Sequence, residues 1–183
     1  MRRLWRVAGS GCALLMLGVG GWLGFSDKGY PFGDARACEG SDVPLQQELD
    51  VVRLPLPAGA ENVHYVTHSR AAAGEVRLAV AFRSTSQEME AYLRENKIVT
   101  EGLHDLTDGR FELGATAADP AYLGLCGNVA QIDAPAALID QQHEGLLQVK
   151  VDIAVQLSDS SSIRPTTNVL LTVAESSRRE DAW

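Results

Sequence analysis

The clearest alternation of apolar and polar residues runs from Leu147 to Leu157, where Leu147, Val149, Val151, Ile153, Val155 and Leu157 are interleaved with Gln148, Lys150, Asp152, Ala154 and Gln156. A period of two puts the first set on one face of a strand, so the segment predicts a strand lining a core. Ser158 to Ser162 is polar and turn-forming. Thr167 to Ala174 then resumes the alternation with Val169, Leu171 and Val173 inward, which predicts a long antiparallel hairpin. Pro165 cannot donate to a ladder, so the start of the return strand is expected at a sheet edge or a bulge. Earlier, Glu75 to Arg83 alternates just as cleanly, with Val76, Leu78, Val80 and Phe82 facing in and Arg77, Ala79, Ala81 and Arg83 expected on a wet face. Asn62 to His68 reads as another strand, and the β-branched pair in Asp50 to Leu54 as one more, ended by Pro55 and Pro57 before a turn at Ala58-Gly59-Ala60.

One helix is well marked. Thr85 and Glu88 stand three apart, as a capping box requires, directly before Met89, Tyr92 and Leu93 at helical spacing. The opposite face carries Gln87, Glu90, Arg94 and Glu95, so this amphipathic helix should lie against one side of a sheet with its charges in solvent. From Thr100 to Asn128 the pattern weakens into turn signals, and Asp119-Pro120 suggests the start of a short helix ending near Gly124. Val129 to Ile132 suggests a short strand, Ala136 to Gln142 a short helix or loop, and residues 176–183 a mobile charged tail. Strands, a helix and a closing hairpin predict an α+β domain over residues 43–175, an antiparallel sheet with one main helix packed on a face.

The N-terminus changes the setting. Arg2, Arg3 and Arg6 precede nineteen uncharged residues, Val7 to Phe25, and a helix of that length covers about 28 Å, close to the hydrocarbon thickness of a bilayer. Positive charge stays on the cytoplasmic side, so residues 1–25 are expected to be a cytoplasmic stub and transmembrane signal-anchor, with the membrane engaged through residues 7–25 and the C-terminal domain extracytoplasmic. Trp5 and Trp22 stand near opposite ends of the span, as interfacial anchors do. A cleaved secretory signal is the alternative. Its best small-residue triplet, Ala35-Arg36-Ala37, ends twelve residues past Phe25, too far for an ordinary signal, whereas Gly24-Phe25-Ser26 is better placed but a poor match. Residues 26–42, rich in Gly, Pro, Asp and Ser, read as a linker lifting the domain from the bilayer.

Charge and cysteine content narrow the function classes. The chain carries −8 overall, and beyond Phe25 thirteen basic residues face twenty-four acidic ones, a balance that disfavours nucleic acid and anionic headgroups. Outside the apolar span only Cys38 and Cys126 remain, and in an oxidising compartment the two are expected to form a disulfide. Gly124-Leu125-Cys126-Gly127-Asn128 has no neighbouring histidine or cationic cluster in sequence to activate a thiol, and there is no C-x-x-C pair.

Candidate chemistry is sparse. His64 and His68 are four apart, but on a strand that separation is about 13 Å, so the two cannot share one ion unaided. Asp105, Asp108 and Glu112 beside His104, with Gly109, form the densest acidic group, although they lack the alternating acids of an EF-hand, and Asp-Gly is foremost a turn dipeptide. The metal-ligand candidates are therefore His64, His104, Asp105 and Asp108. No catalytic residue, cofactor or nucleotide fingerprint is assigned, and Ser158 to Ser162 lacks the setting of a nucleophile elbow.

Arg53-Leu54-Pro55-Leu56-Pro57-Ala58-Gly59-Ala60, Asn62-Val63-His64-Tyr65, and Phe82 leading into a capped helix with Tyr92-Leu93 resemble small membrane-anchored extracytoplasmic proteins of unknown function from high-GC Gram-positive bacteria. The resemblance implies a location and no activity. The expectation is a membrane-tethered binding or accessory domain of the bacterial cell envelope, with an envelope protein or other envelope component as partner. A cell-envelope hydrolase is the rival, and would need His64, His104, Asp105, Asp108 and His143 to converge. A secreted small-ligand carrier, should the N-terminus be cleaved, would need a sizeable cavity where the strand pattern predicts a packed core.

Overall fold

Six strands form one antiparallel sheet in the computed structural model, which describes residues 29–96, 111–113, 117–132, 136–144, 148–158 and 162–175. They are β1 (Glu61–Thr67), β2 (Val76–Thr85), β3 (Phe111–Leu113), β4 (Ala136–Glu144), β5 (Gln148–Gln156) and β6 (Thr166–Glu175), in the spatial order β1-β2-β6-β5-β4-β3. The two strongest alternations in the sequence become the centre. Val80 of β2 stands opposite Leu171 of β6, and Leu171 opposite Ile153 of β5, giving three fully buried side chains in a row across the sheet.

Helices α1 (Leu45–Val52) and α2 (Ser86–Glu95) cover one face. Leu45, Leu49 and Val52 from α1, with Met89, Tyr92 and Leu93 from α2, pack on Leu78, Val80, Phe82, Val151, Ile153, Val169 and Leu171 in one continuous core. The capping box of α2 is present as the sequence implies: Thr85 Oγ1 accepts the Glu88 N–H at 3.2 Å, and a Glu88 carboxylate oxygen accepts the Thr85 N–H at 3.3 Å. Gln87, Glu90, Arg94 and Glu95 face solvent.

α1 replaces the strand expected over Asp50 to Leu54. Its buried residues Leu45, Glu48, Leu49 and Val52 form a helical stripe whose first half lies outside that window, so Val51-Val52 alone misleads. Arg53 ends the helix in the left-handed conformation, φ 54°, its N–H bonded to the Leu49 carbonyl.

Three other expectations change. Ala136 to Gln142, expected as a short helix or loop, belongs to β4, which pairs with β5 without interruption from Ala136 opposite Gln156 to Glu144 opposite Gln148. Val129 to Ile132 is irregular rather than a strand, although Ile132 is buried. Pro165 marks no edge: β6 lies inside the sheet between β2 and β5, and Pro165 precedes its first residue, with its carbonyl accepting the Ser86 N–H at the start of α2.

The chain from residue 29 onward, read from sequence as part of a linker, packs on β1. The Cys38 N–H donates to the Tyr65 carbonyl at 2.8 Å, the Tyr65 N–H donates to the Arg36 carbonyl at 3.0 Å, and Ala37 and Cys38 are buried. Asp34 adds to this attachment, accepting the Tyr65 hydroxyl at 3.2 Å while the Arg36 guanidinium bonds hold its carboxyl down at about 2. The anchor expected over residues 1–25 and the tail at 176–183 lie outside the described residues, among which no helix is long and apolar enough to cross a membrane.

Candidate functional site

The second face of the sheet, expected to be wet, is covered. Ala79 is 0% exposed and Ala81 4%, while Arg83 stays exposed as expected; Arg77, at the register irregularity between Val76 and Leu78, is instead buried against Glu48 of α1. The cover is the irregular segment 117–132, whose Ala117, Ile132, Leu123, Leu125 and Val129 pack on Ala81, Ala154 and Leu170, while Cys38, Val66 and Ala79 form an adjoining cluster. Small side chains on β2 and β5 leave room for a backbone to lie close on the sheet, which a row of larger residues would prevent.

The segment is shaped by short-range bonds. Asp119 accepts the Ala121 N–H on its side chain at 2.9 Å and the Tyr122 N–H on its carbonyl at 3.1 Å, so the expected short helix is a single tight turn. Gly124 and Gly127, both at φ 78°, re-aim the chain on either side of Cys126, which closes the disulfide to Cys38 with the Cα atoms 5.3 Å apart. The Cys126 N–H also points at Cys38 Sγ, 2.8 Å away.

Where the cover runs off the sheet it leaves a cleft of about 480 Å³, lined by Asn62 and His64 of β1, Ala81, Phe82 and Arg83 of β2, Thr166, Asn168 and Val169 of β6, and Asn128, Val129 and Ala130 of the loop. Among the cleft's described lining residues Arg83 is the one cation and none is acidic, in a chain with twenty-four acidic residues. Arg83 has no ion pair or hydrogen bond among the described residues, even though Glu61 is its register partner on β1. Asn168 is oriented by donating to the Gln156 side chain at 2.9 Å. Asn62 adopts φ 50° at an irregularity in the β1–β2 register, a backbone conformation that asparagine tolerates better than most residues. Three amides, a hydroxyl and a guanidinium make a surface suited to an anionic or oxygen-rich group.

His64 joins this cleft to the disulfide. One of its ring nitrogens and the sulfurs of Cys38 and Cys126 all lie within 4.8 Å of one another, and its Nδ1 is buried without a hydrogen-bond partner. The imidazole lies directly beneath Gly127, where a Cβ would come within 2.5 Å of Cε1, so both the positive φ and this contact demand glycine there.

The other sequence candidates among the described residues do not join it. His68 lies exposed one residue past the end of β1, outside this cluster. His143 is on β4, opposite Val149 of β5, and β2, β6 and β5 stand between it and His64, on the order of 19 Å of sheet at ~4.8 Å per strand. Glu112 is on β3, opposite Leu138 of β4. His104, Asp105 and Asp108 lie outside the described residues. Sequence reasoning named Cys38, Cys126 and His64 but not their meeting, and it missed Asn62, Asn128, Thr166 and Asn168. The available signal was the alanine pair at 79 and 81, too small for an ordinary solvent-facing strand side yet well suited to a covering chain. No known protein family, curated protein or solved structure matches this chain.

Proposed function

We propose that this chain is a membrane-tethered, extracytoplasmic binding domain of the cell envelope, and that its cleft holds a carboxylate or phosphate of an envelope component. The observation that carries the reading is Arg83, a cation without a partner among the described residues, set among Asn62, Asn128, Thr166 and Asn168 in a cleft whose described lining includes no acid. An anion there replaces water with charge-assisted bonds, while the acidic remainder of the chain repels it elsewhere. The Cys38–Cys126 disulfide agrees with an oxidising compartment, and the apolar stretch Val7 to Phe25 supplies the tether. Binding is favoured over hydrolysis because the titratable side chains among the cleft's described residues are His64 and Arg83, without a carboxylate to complete an acid–base pair.

The test is to extract the tagged chain from its native membrane, confirm by intact mass that residues 1–25 are retained, and titrate it calorimetrically with fragments of anionic envelope glycopolymer. Binding is expected, and Arg83→Gln should weaken it by roughly 10- to 100-fold, the range of a hydrogen bond to a charged group. Equal affinity of the wild type and Arg83→Gln would remove the cleft from the reading. Recovery of the chain in the soluble fraction without its N-terminus would remove the tether.

A further inference from the structure

We propose that Cys38, Cys126 and His64 form, once the disulfide is reduced, a three-ligand site for a divalent cation of the zinc class. Three observations meet there. The ligand atoms lie within 4.8 Å of one another, the His64 Nδ1 is buried without a hydrogen-bond partner among the described residues, and the imidazole occupies the space that a Cβ at Gly127 would take. A buried ring nitrogen without a partner is costly, and coordination is one way such an atom is satisfied.

The geometry needs little rearrangement. Tetrahedral zinc with Zn–S near ~2.3 Å and Zn–N near ~2.0 Å sets S···S at about 3.8 Å and S···N at about 3.5 Å. Breaking the disulfide lets the sulfurs part by less than ~2 Å, a change on the scale of a side-chain adjustment. Cys38 is held to β1 through its N–H, whereas Cys126 sits between two left-handed glycines, so the movement falls on the Cys126 side. His64 also lines the cleft, so a fourth ligand comes from water or from a molecule bound there.

The oxidised pair cannot serve, because disulfide sulfurs carry no thiolate charge. A dithiol reductant opens the site. It gives two electrons and two protons to Cys38–Cys126, leaving two thiols while it closes to its own disulfide. Coordination of the cation to both sulfurs then releases the two protons to solvent. The site is therefore gated by redox state, and the cation replaces the covalent staple between the 117–132 cover and the residues beside β1.

The experiment uses the full chain in detergent, reduced by a phosphine that takes its oxygen from water, desalted without air, and titrated with Co2+ as a coloured stand-in for zinc. One Co2+ per chain is expected, with thiolate-to-cobalt charge-transfer absorption and the intense visible bands of a tetrahedral site, bleached by Zn2+ and absent from the oxidised chain. His64→Gln should weaken Co2+ binding by at least the 10- to 100-fold typical of losing an outer-shell partner, and His68→Gln should leave it unchanged. Circular dichroism on the same samples separates binding from unfolding: a reduced chain that has lost structure should regain it with Zn2+. The proposal is overturned by a reduced chain without the charge-transfer band, by equal binding to the oxidised chain, by equal affinity in His64→Gln, or by a reduced chain that Zn2+ does not refold.

Discussion

Glu48 and Arg77 place two full charges inside the packing between α1 and β2. Their side chains are 2% and 8% exposed, and the guanidinium grips the carboxylate with two bonds of 3.0 Å each. Arg77 reaches a second carboxylate, Glu175 on β6, at 3.7 Å. The Glu48 bond, acting against burial, raises the Arg77 pKa above its ordinary value, so the guanidinium stays charged at any working pH. Such a pair adds little net stability compared with a hydrophobic replacement, yet breaking it strands a buried charge. Arg77→Met should therefore cost roughly 3–5 kcal/mol, whereas the double replacement of Arg77→Met with Glu48→Leu should recover most of that loss. Urea denaturation midpoints of the two variants decide the point. A double variant as unstable as the single would mean that the cost lies in packing shape rather than in the stranded charge.

At the level of elements, α2 shows how closely local chemistry fixes a boundary. Thr85 ends β2 opposite Thr166 and at the same time caps α2, so the strand passes directly into the helix. Thr85→Ala removes one acceptor for the first turn and should destabilise by about 1 kcal/mol, read as a lowered urea midpoint with an unchanged slope. A loss under a few tenths of a kcal/mol would mean that burial of Met89, Tyr92 and Leu93 alone sets the start of the helix. That cap was legible because its residues are three apart in sequence, and β5, β6 and β2 were legible because their alternation is long. α1 was not, since its stripe is carried by Leu45, Leu49 and Val52 and is anchored by a buried ion pair with a partner 29 residues away. β4 was hidden for a related reason: Ala136, Ala137 and Gln141-Gln142 carry no strong strand preference, and pairing with β5 decides their conformation. The site depended on longer reach still. Cys38 and Cys126 are 88 residues apart, and His64 meets them only because the 117–132 segment folds back over the sheet.

Over the described residues the molecule is a sheet with two unequal coats. The helical coat is large, contiguous and built from leucine, valine, methionine and tyrosine side chains, whereas the 117–132 coat rests on small clusters around Ala79, Ala81 and Ala154. Apolar burial scales with area, so the second coat holds less tightly by packing, and the disulfide makes up much of the difference. Closing a loop of 88 residues contributes roughly 4–5 kcal/mol by chain entropy, a sizeable fraction of the stability of an ordinary domain. Its loss should be felt unevenly. In the metal-free Cys38→Ser, Cys126→Ser variant, amides of residues 117–132 should exchange with solvent through local opening, well before those of β5 and β6, which open only with the whole domain. Hydrogen exchange followed by mass spectrometry separates the cases. Faster exchange confined to 117–132 means that the cover lifts from an intact sheet and exposes the cleft from above. Uniform acceleration in β5, β6 and the cover together means that the two coats form one cooperative unit, in which the disulfide acts on the unfolded chain alone.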